Sequence, residues 1–119
     1  MAFVYHIPRK REYSSDPRIT ISKRIISFNP ACIETYFKDR QYVKIGYDVD
    51  SRKMIFIPSL KKNEGLKIVK NEKWETRYLN ASRLIDKLPF KNESEGEYKC
   101  YWDESNKGVV VDIKKDKVK

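Results

Sequence analysis

Arg24-Ile25-Ile26-Ser27-Phe28-Asn29-Pro30-Ala31-Cys32-Ile33 and Arg77-Tyr78-Leu79-Asn80-Ala81-Ser82-Arg83-Leu84 decide the fold, because they carry one signal twice. Each opens with strand formers and ends in a helix start. Asn29 and Asn80 stand at the cap, where a side-chain oxygen accepts a free backbone N–H. Pro30 suits the first helical position, since the N–H it lacks would go unpaired there. An apolar residue precedes each Asn and another follows at the fourth helical position. Phe28 with Ile33, and Leu79 with Leu84, therefore read as hydrophobic staples. Phe37 and Leu88 come one turn later, so the helices are predicted over 30–37 and 81–88, at an offset of 51 residues.

A hairpin follows each helix. Val43, Ile45 and Tyr47 alternate with Lys44 and Gly46, which makes one face apolar. Tyr98, Cys100 and Trp102 take those places 55 residues later. Asp48 to Lys53 and Asp103 to Gly108 are the polar turns. Met54–Ile57 and Val109–Ile113 are the return strands. The offset grows by four because Lys91 to Gly96 lengthens the second helix-to-strand loop. Upstream, Arg18–Ser22 and Leu66–Lys70 read as the first strand of each half.

The pattern predicts a small α+β domain, mostly antiparallel, made of two β–α–β–β repeats around one barrel-like core. A piece of roughly forty residues buries too little surface to fold alone, so the halves must share their interior. The expected organisation is a basic arm over 1–17, one domain over 18–113 with repeats 18–58 and 66–113, and a basic tail over 114–119 that frays.

Charged residues make up 36% of the 119 and the net charge is +9. Residues 1–24 contribute +4, residues 59–74 +3 and residues 114–119 +3, so the excess lies outside the repeat bodies. That distribution suits an acidic partner held by basic arms. Mean hydropathy is −0.75. No apolar run approaches the roughly 18–20 residues that cross a bilayer, and Met1 to Ile7 is too short and polar for a secretion signal. A cytoplasmic protein is expected, with Cys32 and Cys100 as reduced, buried thiols.

Enzyme chemistry has no foothold in the pattern. There is no glycine-rich phosphate loop, His6 is the single histidine, and two separated cysteines make no zinc knuckle. The acid pairs Asp48 with Asp50, and Asp103 with Glu104, fall in turns, where carboxylates are solvated. A non-enzymatic protein without cofactor or metal is expected. Its candidate phosphate contacts are Arg9, Lys10 and Arg11 in the arm, Arg18, Lys23 and Arg24 near the first strand, Lys61 and Lys62 in the connector, and Arg77 and Arg83 in the second half. Tyr13, Tyr42 and Tyr101 lie among polar neighbours and are candidates for base stacking. The expected partner is duplex DNA, bound by a monomer or homodimer. The alternative is a small accessory or inhibitor module of a phage or mobile element, acting on a nucleic-acid-binding protein. It would add strand edges at Met54–Ile57 and Val109–Ile113 to a partner sheet.

Strand, short helix opened by a polar-Pro or polar-Ala step, strand, tight turn, strand: this order resembles the swapped-hairpin DNA-binding domain of the AbrB, MazE and MraZ proteins. The resemblance implies two copies, here Arg24–Ile57 and Glu75–Ile113, that interleave their hairpins in one small β-barrel. It also implies DNA-binding transcription regulation, with Arg24 and Arg77 standing where the family carries an Arg ahead of its helix.

Overall fold

The structure, a computed structural model, describes residues 16–70 and 76–118. Strands β1 (Arg18–Ile21) and β2 (Ile25–Phe28) form a hairpin. Its alternation buries Ile19, Ile21, Ile26 and Phe28. Asn29 then starts α1, which runs over Pro30–Cys32 and continues as a π-helical segment, Ile33–Phe37. The Asn29 Oδ1 accepts from Cys32 N and from Arg18 N, both at 2.9 Å, and its Nδ2 donates to the Asp16 carbonyl at 2.8 Å. This one side chain therefore fixes the end of the hairpin and the start of the helix together.

Strands β3 (Tyr42–Asp48) and β4 (Lys53–Ser59) form the first predicted hairpin. A short 3₁₀ turn at Lys62–Glu64 leads to β5 (Leu66–Lys67) and β6 (Val69–Lys70). Then come β7 (Arg77–Asn80), α2 (Ser82–Lys87), α3 (Lys91–Ser94), β8 (Gly96–Lys99), β9 (Tyr101–Asp103) and β10 (Gly108–Asp112).

The strands make two antiparallel five-stranded sheets, ordered β6-β7-β2-β1-β8 and β5-β3-β4-β10-β9. The sheets are antiparallel as expected, but they do not close into the small β-barrel that the resemblance implies. The ladders break at Ile68 and at Cys100, where the chain leaves one sheet for the other. The single strand predicted through Tyr98, Cys100 and Trp102 is accordingly two strands in different sheets. Pro58 lies in β4 beyond the pairing with β10, which covers Lys53 to Phe56, so it needs no donor on that side.

Three further expectations are corrected. Asn80 is not a cap: it ends β7 opposite Ile25, and α2 starts after Ala81 with no side-chain cap bond. The loop after α2 winds into α3. The basic tail does not fray over its described residues. Val118 N donates to the Glu97 carbonyl at 2.7 Å and Lys99 N to the Asp116 carbonyl at 2.9 Å, which lays the tail along β8.

Side chains from both halves meet in one core. Phe28 lies 4.8 Å from Phe37 and 5.9 Å from Phe56, measured between ring centroids. Leu79, Tyr98, Val109 and Val111 are buried in the same cluster. Between the halves, Gly65 approaches β3 so closely that a Cβ would sit 2.2 Å from the Val43 carbonyl oxygen.

Several details recur at the sequence offsets. In the β2–β7 ladder Ser27 pairs with Tyr78, 51 residues on. In the β4–β10 ladder Ile55 pairs with Val110, 55 residues on. Asp48 Oδ1 accepts from Asp50 N and Asp103 Oδ1 from Ser105 N, each at 3.0 Å. Arg52 and Lys107 both close their turns with left-handed backbones, φ 53° and 56°. Tyr47 packs edge-on against Phe90 and Trp102 stacks on Tyr36, so the helical segment of each half meets the hairpin of the other.

Tyr98 reports on the second half's helical segment. Its hydroxyl donates to the Ser94 carbonyl at 2.6 Å. Burial, and then the nearby Glu93 charge, push its pKa up to about 12. The folded state thus holds this proton more tightly than the unfolded chain. Its contribution to stability is complete below about pH 10 and is lost as pH rises towards 12. Tyr98→Phe is expected to cost about 1 kcal/mol at neutral pH, because the Ser94 carbonyl loses its donor. It should also flatten the fall in stability between about pH 10 and 12. Urea unfolding across that range checks both.

Candidate nucleic-acid interface

The β1–β2 turn is held tightly. Ser22 N and Ser22 Oγ both donate to the Ile25 carbonyl at 2.9 Å, and Ile25 N donates back to Ser22 Oγ at 3.2 Å. That closure leaves Lys23 and Arg24 projecting and exposed. Ala81 N donates to the Arg24 carbonyl at 2.9 Å, which fixes the turn against the start of α2. Arg83, exposed on the first turn of α2, joins them. Three of the predicted cations therefore share one edge, and none forms an ion pair among the described residues.

The other candidates lie elsewhere. Arg77 sits opposite Phe28, at the far end of β7 from this edge. It borders a cleft of about 460 Å³ with Ile33, Glu34, Lys38 and Arg40. Arg24 and Arg77 are thus at opposite ends of the β2–β7 ladder. Arg18 pairs with Glu97 at 2.5 Å, its side chain is 22% exposed, and its Nε is buried without a hydrogen-bond partner. Its guanidinium ties β1 to β8. Lys61 and Lys62 are exposed after β4. Arg9, Lys10, Arg11 and Tyr13 lie outside the described residues, as does His6. Tyr42 is half-buried on β3, and Tyr101 is exposed on the edge strand β9.

The edges expected to recruit a protein are not edges. Met54–Phe56 and Val109–Val111 pair with each other in the middle of their sheet. The outer strands are β5, β9, β6 and β8, and the tail bridges β8 at Tyr98.

Sequence reasoning missed an aromatic pair. Tyr36 of α1 stacks on Trp102 of β9, with centroids 6.0 Å apart and planes 11° from parallel. They line a cleft of about 260 Å³ with Pro58, Arg40 and Lys107. No short-range signal links residues 36 and 102, because only the closing of β10 on β4 brings them together. Close by, the Cys32 thiol is held far above the ordinary thiol range by its hydrogen bond with Cys100 and by burial, which makes it a poor nucleophile.

Among the described residues no cluster of His, Cys, Asp and Glu could hold a metal ion, and no helix is long and apolar enough to cross a membrane. No family model, curated protein or solved structure matches the chain.

Proposed function

We propose that this protein binds duplex DNA without catalysing a reaction, as a transcription regulator built from two interleaved swapped-hairpin halves. The observation that carries the binding reading is the edge formed by Lys23, Arg24 and Arg83. These cations are exposed and unpaired with acids among the described residues, and a backbone hydrogen bond from Ala81 to Arg24 ties the turn that carries two of them to the start of the helix that carries the third. An array of this kind suits phosphates, whose neutralisation releases counterions. The interleaved reading is supported by the self-related pairs Ser27 with Tyr78 and Ile55 with Val110, and by helical segments that cover the opposite half's hairpin.

The test is fluorescence anisotropy with a labelled duplex across a salt series. Affinity should fall with salt by a slope of about −0.9 per phosphate contact. Replacing Lys23, Arg24 and Arg83 by Ala should weaken binding about tenfold at low salt and reduce the slope by about 2–3. An unchanged affinity and slope in the folded triple variant would overturn the assignment.

A further inference from the structure

The strongest unassigned feature is the cleft between the end of α1 and the second hairpin. Its floor is aromatic. Trp102 is 37% exposed although it faces the same side of its sheet as buried Val109 and Phe56. Tyr36 stacks on it, and Pro58 completes the wall. The indole is anchored rather than loose, since Trp102 Nε1 donates to the Glu104 carboxylate at 2.7 Å. The rim is cationic. The Arg40 side chain is exposed and has no hydrogen-bonded or ion-pair partner among the described residues, and Lys107 lines the same cleft.

From this arrangement we infer that the cleft receives one unpaired base of a single-stranded nucleic acid, stacked on Trp102 and Tyr36 with its flanking phosphate on Arg40 and Lys107. The inference rests on the nucleic-acid reading above and adds a second site, apart from the duplex-binding edge, for an unpaired strand. Three observations favour a nucleotide. A fixed indole face costs little further ordering on stacking, and every base offers a π-face to it. The cleft, at about 260 Å³, is smaller than the roughly 300 Å³ at which drug-sized sites begin, which suits a single base. Finally, the two cations at its mouth match a phosphate.

Glu104 is an acid bonded to two of the residues that line the cleft. Its carboxylate is already occupied by Lys107 and by the Trp102 N–H, which hold its pKa below the usual range. The Lys107–Glu104 pair is largely exposed, and exposed pairs exchange partners readily. Lys107 can therefore turn to a phosphate while Glu104 keeps the indole in place. A duplex base, stacked on both sides, has no free face to offer the cleft.

The test uses the full chain and a labelled ten-residue oligothymidylate. Two readouts are followed: anisotropy, and the NMR signal of the Trp102 Nε1–H, assigned by its loss in Trp102→Phe. The oligonucleotide is expected to shift that signal saturably, whereas a blunt duplex of equal length leaves it in place. Trp102→Ala should weaken oligonucleotide binding about 5- to 100-fold, and Trp102→Phe should recover most of it. If Trp102→Ala does not fold, Arg40→Gln with Lys107→Gln, both on exposed positions, should weaken it severalfold. Duplex binding with no shift from the oligonucleotide overturns this inference and leaves the duplex reading standing. Binding of neither overturns both. A shift produced by a proline-rich peptide but not by the oligonucleotide also overturns it, since the same aromatic floor would then serve a protein ligand.

Discussion

Phe28→Ala is expected to remove about 3–5 kcal/mol of folding stability. Phe28 is fully buried and lies between Phe37 of α1 and Phe56 of β4. It is therefore a side chain at which the first sheet, the helix and the second sheet meet. Truncation loses the transfer energy of the ring and opens a cavity beside two other rings. It also loses the tilted and edge-on ring contacts, worth about 0.5–1.5 kcal/mol per pair beyond burial. Against a total of about 5–15 kcal/mol for a domain, this leaves a marginal fold. Urea unfolding should show a much lower midpoint with an unchanged slope. A loss under about 1 kcal/mol would mean that these rings do not join the sheets.

Asn29→Ala is expected to cost about 2–3 kcal/mol, more than an ordinary cap replacement at about 0.5–2. The excess arises because the side chain accepts from Arg18 N as well as Cys32 N, and also donates to the Asp16 carbonyl. The substitution leaves several backbone groups without partners at once. Asn29→Asp keeps both acceptor bonds and places negative charge at a helix start, but it loses the donor to the Asp16 carbonyl, so it should cost about 1 kcal/mol, less than the Ala replacement. Asn80→Ala makes the contrast. Asn80 is exposed at a strand end and caps nothing, so its replacement should stay within about 0.5 kcal/mol. Denaturation midpoints for the three variants check the ranking. Equal losses at Asn29 and Asn80 would contradict it.

These two asparagines also show what was legible in the sequence. The start of α1 was readable because cap, Pro30 and staple are all local. The turns at Asp48 and Asp103 were readable for the same reason. Asn80 carried the same local grammar, but pairing with Ile25 claimed it for β7. The break at Cys100 was hidden because apolar alternation runs straight through the bend. Neighbouring of β4 and β10 was hidden because it depends on how distant hairpins meet. In the tail, lysine content suggested fraying. The Asp112 carboxylate, accepting from Lys114 N and Lys115 N at 3.0 Å, turns the chain back instead.

The candidate site was legible by residue type and not by place. Lys23, Arg24 and Arg83 converge because the β1–β2 turn bonds to the start of α2, a contact between residues 24 and 81. Arg18 looked equivalent to them in sequence, but Glu97 on the neighbouring strand claims it. Arg9, Lys10 and Arg11 lie outside the described residues, so their role rests on charge alone.

The most direct measurement of the shared interior is to split the chain after Asn63 and purify both fragments. Strands that pair across the halves, as β4 does with β10 and β2 with β7, leave each fragment with central strands paired on one side only and half a core. Each fragment alone should lack near-ultraviolet circular dichroism and a cooperative melt, and an equimolar mixture should regain both. A cooperative melt from either fragment by itself would contradict a core that the two halves share.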